Sequence, residues 1–282
     1  MERWSEMVVV AFQGELGAYG EEAIRSLFGA EAEPYPCRSF QDVFAAVSGG
    51  KVDRALTPVE NSQAGSINDV YDLLRQHDLY VGGEVLHRVN HALLALPGQQ
   101  IADIKRVISH PQALAQCDRY LQKLGVEIVA TYDTAGSAKL IREQEMTGVA
   151  AVAGVGAAQR YGLEVLATDI QTIAGNYTRF VLLQRTPAER GTGPHKTMLV
   201  MSVGHQPGSL YRALGALAER NINLLKLESR PARERPWEYV FYLDFEGHRE
   251  DPAVREALAE LAAYTNFCKV LGSFTRDIRP TL

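Results

Sequence analysis

NYTRFVLL, residues 176–183, reads as a strand that is apolar along its length and polar at its mouth. Val181, Leu182 and Leu183 supply the continuous apolar run of a strand covered on both faces, as in a parallel sheet. Asn176, Thr178 and Arg179 have no use in a core, yet they stand where the strands of such a sheet open onto a cleft. Taken alone, the pentapeptide 176–180 fits a polar strand end as well as a site.

Working outward, the order of apolar strand, polar turn and helix recurs four times upstream. Met7–Phe12 leads into Gly14, Glu15, Leu16, Gly17, Ala18 and Tyr19, with a helix from about Glu21. Arg54–Val59 leads into Glu60, Asn61 and Ser62, then Gly65 and Ser66, before the helical spacing of Val70, Leu73 and Leu74. Arg106–Ile108 leads into Ser109, His110 and Pro111, the last suited to a first helical position. Val126–Tyr132 leads into Asp133 and Thr134, with Gly136 and Ser137 in the following turn. Helix N-termini present free N–H groups and attract anions, so these mouths point to a small anion held in a cleft. Leu79–Leu96 is long, extended and midway along this α/β half. It reads as a crossing between two lobes, with the strand from Tyr177 as the return crossing. The expectation is a hinged, two-lobed cleft like that of a periplasmic binding protein, with hinges near 85–92 and 175–180.

Thr186–His195 has two prolines, two glycines and charge but no apolar periodicity, and reads as a linker. It divides the chain into an α/β segment, 1–185, and a C-terminal segment, 196–282. The latter reads as strand Lys196–Val203, helix Gly208–Arg220, strands Ile222–Leu227 and Tyr239–Phe245, helix Pro252–Tyr264 and strand Lys269–Phe274. That order is the ferredoxin-like βαββαβ. Two of its turns are unusual, one around Gly208, Ser209, Leu210 and Tyr211, the other around Glu228, Ser229, Arg230 and Pro231.

Composition excludes several classes. A chain of 282 residues with 46% hydrophobic residues can build more than one core. Its three cysteines, Cys37, Cys117 and Cys268, are odd in number and far apart, so no disulfide framework is implied. A formal charge of −5 without a basic stripe argues against nucleic acid. Met1–Met7 carries Glu2, Arg3 and Glu6 and leads into a strand, so neither a signal peptide nor a membrane span is expected and the reading is cytoplasmic. His87 and His91 invite a metal reading, but four residues apart on a strand they would be roughly 13 Å from each other, too far to share an ion.

TPVENS at 57–62, SHPQA at 109–113, DTAGSA at 133–138, NYTRF at 176–180, GSLY at 208–211 and ESRP at 228–231, in that order, resemble prephenate dehydratase with a C-terminal ACT domain. The resemblance covers nearly the whole chain and is to the monofunctional form, since nothing here corresponds to the helical chorismate mutase found fused to some members. It implies a decarboxylating dehydration of prephenate to phenylpyruvate, without a cofactor, in phenylalanine biosynthesis. Thr178 matches the family's catalytic threonine and would donate a hydrogen bond to the departing oxygen. Phe180 would wall the ring, and Arg179 would either pair with a substrate carboxylate or hold the strand end by an ion pair. Asn61 and Ser62 match substrate ligands, and Glu60 is either a protonated acid or a structural acceptor. Ser109 and Gln116 would contact substrate, whereas His110 is an acid or a cap. Thr134 and Ser137 would donate to a carboxylate or simply cap a helix. One departure is Gly20, where the family usually has serine.

The resemblance further implies a homodimer or homotetramer whose paired ACT domains bind phenylalanine through Gly208, Ser209, Leu210, Glu228, Ser229 and Arg230, giving feedback inhibition. Two other readings remain open at this level: arogenate dehydratase, and a non-catalytic amino-acid sensor.

Overall fold

The computed structural model describes residues 7–232 and 239–277, so the reading of Met1–Met7 falls, but for Met7, outside the described residues. In chain order the strands are β1 Val8–Gln13, β2 Ala32–Cys37, β3 Arg54–Asn61, β4 Gly65–Ser66, β5 Tyr80–Arg88, β6 Ala92–Ala95, β7 Arg106–Ser109, β8 Glu127–Ala130, β9 Val149–Ala153, β10 Glu164–Ala167, β11 Tyr177–Gln184, β12 His195–Val203, β13 Leu224–Pro231, β14 Tyr239–Glu246 and β15 Thr265–Thr275. Between them run the helices α1 Tyr19–Phe28, α2 Phe40–Ser48, α3 Asn68–Gln76, α4 Pro111–Gln116, α5 Asp118–Leu124, α6 Thr134–Glu143, α7 Val155–Tyr161, α8 Ser209–Ala218 and α9 Pro252–Ala263.

The strands form three sheets, ordered β2-β1-β3-β11-β5 with β4 beside β3, β10-β6-β9-β7-β8, and β13-β14-β12-β15. In the first, β1 lies parallel to both β2 and β3. In the second, β7 is parallel to β8 and β9, and β6 is antiparallel to β9 and β10. The chain passes from the first sheet to the second between β5 and β6, inside the long midway segment, and returns between β10 and β11, over 168–176, so the return lies just before the strand from Tyr177 rather than in it.

By contacts, one unit takes the chain through Ile67 together with Val85–Phe180, and so contains both lobes of the two-lobed half. Val10, Phe12, Ile24, Phe44, Val47 and Leu56 are buried in its first lobe. Leu93, Val107, Leu114, Leu121 and Val152 form the core of its second. The lobes are laced together by the loop after β1. Glu15 accepts from Lys139 (3.0 Å) and from the Tyr132 hydroxyl (3.2 Å), and the Tyr161 hydroxyl donates to Leu16 O at 2.7 Å. Gly17, at φ +87°, sits so close to Ala157 that a Cβ would lie 2.9 Å from its Cα, so only glycine brings the lobes this near.

The other unit joins Asn68–Glu84 to the described chain from Val181 to Asp277. Its sheet is antiparallel throughout, with α8 and α9 packed through Ala213, Leu217, Ala257 and Leu261 on Leu199, Leu243 and Phe245. This is the expected βαββαβ. Helix α3 belongs here because fully buried Tyr71 packs its ring on Tyr242, centroids 4.8 Å apart, and accepts the Tyr242 hydroxyl on its carbonyl at 2.8 Å. A buried ion pair, Lys196 Nζ to Glu84 Oε2 at 2.8 Å, ties β12 to β5.

Strand boundaries differ from the sequence reading: β15 begins at Thr265, ahead of Lys269, and β13 runs past Leu227. Glu228, Ser229 and Arg230 do not form a turn; they lie inside β13, paired with Tyr242, Phe241 and Val240 of β14. The proline read as a turn residue is the last residue of the strand, where its missing N–H costs least.

Candidate active site

Strand β3 ends at Asn61, and the antiparallel return through β4 leaves that side chain at the rim of the first sheet. Its Oδ1 accepts the backbone N–H groups of Gln63 (3.0 Å) and Ala64 (2.9 Å). A backbone amide can only donate, so these two contacts fix which end of the carboxamide is oxygen. Nδ2 then donates to Asn176 Oδ1 at 2.7 Å, to Thr178 Oγ1 at 3.0 Å and more weakly to Tyr177 O at 3.2 Å. Because Thr178 accepts here, its own proton is left to be donated elsewhere, and it makes no hydrogen bond with it among the described residues. Both side chains are buried, at 6% and 8% exposure, where a donor without a partner costs about 1–3 kcal/mol.

The neighbours of this pair are held by the same strand ends. The Ser62 hydroxyl accepts from Tyr177 N (2.9 Å) and donates to Gly175 O (3.3 Å), closing β3 against the start of β11. Arg179 is buried and its Nη1 lies 3.8 Å from Glu60 Oε2, an ion pair at the strand end. Phe180 is buried and packs edge-on against His87, centroids 6.3 Å apart. His87 Nε2 meets Glu22 Oε2 at 3.1 Å, and Glu22 Oε1 accepts Gly156 N at 3.2 Å across the lobes.

From the second lobe Gln116, at the end of α4, reaches the cluster. Its Oε1 lies 3.1 Å from Asn176 Nδ2 and 2.8 Å from His91 Nε2. His91 is buried, and its Nδ1 is 2.8 Å from the Tyr19 hydroxyl, which also sits 2.9 Å from Asn90 O. Burial pushes the His91 imidazole below its ordinary value and the Tyr19 phenol well above its own, so both are neutral at physiological pH. The sequence reading put His91 on a strand with His87; β5 ends at Arg88, and His91 lies beyond it in the crossing. Beside Gln116 is a cavity of about 350 Å³, also lined by Gln63, Ala64, Gln112, Ala115, Asp118, Thr172 and Ile173. That volume suits a small organic ligand. Asp118 is the one lining group an anion would not favour, and part of its charge is taken up by the Thr172 hydroxyl (2.5 Å) and Arg119 N (2.7 Å).

The remaining candidates are placed differently. Ser109 is fully buried and gives its proton to Val152 O at 2.6 Å, so its hydroxyl serves the second sheet and no longer donates into a cleft. His110 caps α4, accepting Gln112 N on Nδ1 at 3.2 Å. The cap of α6 is Asp133, through Gly136 N at 2.6 Å; Thr134 is its first residue, and buried Ser137 donates back to Asp133 O at 2.7 Å. At Gly20 a Cβ would come within 3.0 Å of the Phe12 ring, so this departure answers to the packing of α1 on β1. In the C-terminal sheet Gly208 takes φ +78° as the N-cap of α8. In β13 Glu228 and Arg230 point to one face and Ser229 to the other, since side chains alternate along a strand. Arg230 Nη2 lies 3.8 Å from Asp72 Oδ2.

A family model described as prephenate dehydratase matches residues 10–188, and one described as ACT domain matches residues 197–263. The chain belongs to the prephenate dehydratase family. It is 45% identical over 280 residues to "Arogenate dehydratase/prephenate dehydratase 2, chloroplastic" of Arabidopsis thaliana, covering 96% of this chain and 73% of that protein. Among solved structures, a prephenate dehydratase from Arthrobacter aurescens in complex with L-Phe is 32% identical with a TM-score of 0.88, over 98% of this chain and 92% of the other. A structure titled as GqqA, a novel type of quorum quenching acylase, is 37% identical, also with a TM-score of 0.88, over 96% of this chain and 98% of the other.

Within this prephenate dehydratase fold the motifs TPVENS and NYTRF meet at one rim, and SHPQA contributes Gln116 three residues past its end. Tyr19, His91 and Asn176 complete the cluster. Asn176 was legible as part of NYTRF; Tyr19 was read only as part of a polar turn, and His91 was weighed only as a metal ligand with His87 and set aside.

Proposed function

We propose that the chain converts prephenate to phenylpyruvate, with Thr178 as the donor to the leaving oxygen. In this reaction the bond from the ring to its carboxylate breaks and releases CO₂. The electron pair enters the ring, the C–O bond on the opposite ring carbon breaks, and hydroxide leaves and takes up a proton as water. Aromatisation supplies the driving force, so the protein's task is to assist a poor leaving group and to strip water from the ring carboxylate. The observation that carries the reading is the Asn61–Thr178 contact. A fixed amide N–H occupies the acceptor side of the threonine oxygen and leaves O–H as the outward group. A threonine acting as an acyl-transfer nucleophile would need a base on its proton, and none stands there among the described residues, which disfavours an acylase reading of the kind named for one structural neighbour.

In this proposal Asn61, Ser62, Gln116, Arg179 and Phe180 surround the substrate, Ser109, Thr134 and Ser137 frame the second lobe's side of the cleft, and Glu60 and His110 are structural. The cleft closes by motion about the crossings near 85–92 and 175–180. The dehydratase segment is 1–185, the linker 186–195 and the ACT segment 196–282, and the protein acts in the cytoplasm as a homodimer or homotetramer. No described helix is long and apolar enough to cross a membrane. Phenylalanine binds the ACT segment at Gly208, Ser209, Leu210, Glu228, Ser229 and Arg230 and inhibits; the left-handed Gly208 beside the N–H groups opening α8 supports this, as does the bound L-Phe of the Arthrobacter structure. Arogenate, which bears an amino group in place of the keto group, is the competing substrate, and the double name of the Arabidopsis relative favours testing both. The test is a spectrophotometric assay of phenylpyruvate formed from prephenate, run beside phenylalanine formed from arogenate. No turnover of either would leave the sensor reading.

A further inference from the structure

The hydrogen bonds around Asn61 fix the orientation of every polar group from there to His91. Asn61 Oδ1 is held by two backbone N–H groups, so Nδ2 must be what meets Asn176 Oδ1. That turns Asn176 Nδ2 toward Gln116 and requires the Gln116 atom facing it to be the oxygen. Oxygen in that place must receive a proton from its other neighbour too, and that neighbour is His91 Nε2 at 2.8 Å. His91 therefore carries its proton on Nε2, and its unprotonated Nδ1 shares the single Tyr19 hydroxyl proton with Asn90 O. His91 is 2% exposed, its backbone is held by Gln171 Oε1 (3.0 Å) and Ile170 N (3.1 Å), and both of its ring nitrogens are engaged. With two donors on Oε1, the Gln116 NH₂ group makes no hydrogen bond among the described residues, and Gln116 lines the 350 Å³ cavity.

We infer that His91 is a positioning residue, whose Nε2–H locks the Gln116 carboxamide with its NH₂ toward the cavity as a donor to a substrate carboxylate. The inference rests on the reading of Gln116 as a substrate ligand. An amide is as easily turned to present its carbonyl, which would repel the same carboxylate; His91 and Asn176 together forbid that orientation, and His91 supplies the shorter of the two contacts.

The test is steady-state kinetics with prephenate on the full chain, comparing Gln116→Ala, His91→Leu, His91→Gln and the double variant His91→Leu/Gln116→Ala, with thermal unfolding recorded for each. Gln116→Ala should raise KM by about 10- to 100-fold, the range for a hydrogen bond to a charged group. His91→Leu should raise KM by roughly 3- to 10-fold with kcat within about twofold, and His91→Gln, which can again donate an N–H, should recover most of that. The double variant should be no worse than Gln116→Ala alone, because His91 has nothing left to position. Multiplied losses in the double variant, or a fall in kcat at constant KM in His91→Leu, would overturn the inference. An unchanged KM in Gln116→Ala would instead remove Gln116 as a ligand and take the inference with it. Should His91→Leu fail to fold, His91→Asn, too short to reach Gln116, takes its place under the same outcomes.

Discussion

Thr178 and Ser109 look alike in the sequence, each a hydroxyl at the mouth of an apolar strand, and the structure makes opposite use of them. Thr178 accepts from Asn61 and keeps its proton in hand; Ser109 gives its proton to Val152 and has none left to donate. The same contrast separates Asn61 from Ser137, whose hydroxyl is returned to the backbone of its own turn. In the proposed site, the strand-end hydroxyl free to donate is the one whose acceptor side an inner donor occupies. Where an inner carbonyl takes its proton instead, the hydroxyl is part of the scaffold.

Removing each hydroxyl should break the resemblance between the two. Thr178→Ala should lower kcat by about 10²- to 10⁴-fold with little change in KM, measured as phenylpyruvate released from prephenate. Asn61→Ala comes next. It removes the amide that orients Thr178 and reaches Asn176, so kcat/KM should fall by roughly 10- to 150-fold, and a variant of wild-type activity would show that Thr178 needs no such partner. Gly208→Val sharpens the comparison from the regulatory side, since a β-branched residue at φ +78° is strained. It should abolish inhibition by phenylalanine in the full chain while the uninhibited kcat stays within a few-fold of wild type. Ser109→Ala should cost stability, about 0.5–1.5 kcal/mol for the lost hydrogen bond to Val152 O, and change kcat less than about threefold.

The smallest expected effect is on pH dependence. His91 has a folded-state value below its ordinary 6.5, so near pH 6 the unfolded chain binds protons that the folded one does not. Its contribution to stability is complete above 6.5 and is lost as pH falls through that value toward the lowered one. His91→Leu should flatten the decline of the unfolding midpoint between pH 7 and 5, and an unchanged slope would assign that decline to His77 or His248, which are lowered by burial as well.

Much of this was legible in the sequence because it rests on local chemistry. Alternating apolar strands and helices gave the two lobes, and the βαββαβ order follows from turn signals and apolar spacing. The meeting of Asn61 with Thr178 entered through the family resemblance, since no local rule joins residues 117 positions apart. The misplaced turn at Glu228–Arg230 shows the limit from the other side. Charged residues and proline usually punctuate a strand, but here Lys226 and Glu228 pair at 3.8 Å and Arg230 meets Asp72, so β13 continues through them. His91 and Tyr19 were not legible because their value lies in hydrogen bonds between lobes, which leave no period and no motif.

The central claim is that the proton of Thr178, rather than its bulk, assists the leaving oxygen, and the pair Thr178→Val and Thr178→Ser tests it most directly. Valine keeps the shape and the β-branch while serine keeps the hydroxyl. With kcat measured on prephenate at saturation, the valine variant should fall as far as alanine, about 10²- to 10⁴-fold, and the serine variant should retain a substantial part of the rate. A valine variant within a few-fold of wild type would contradict the account.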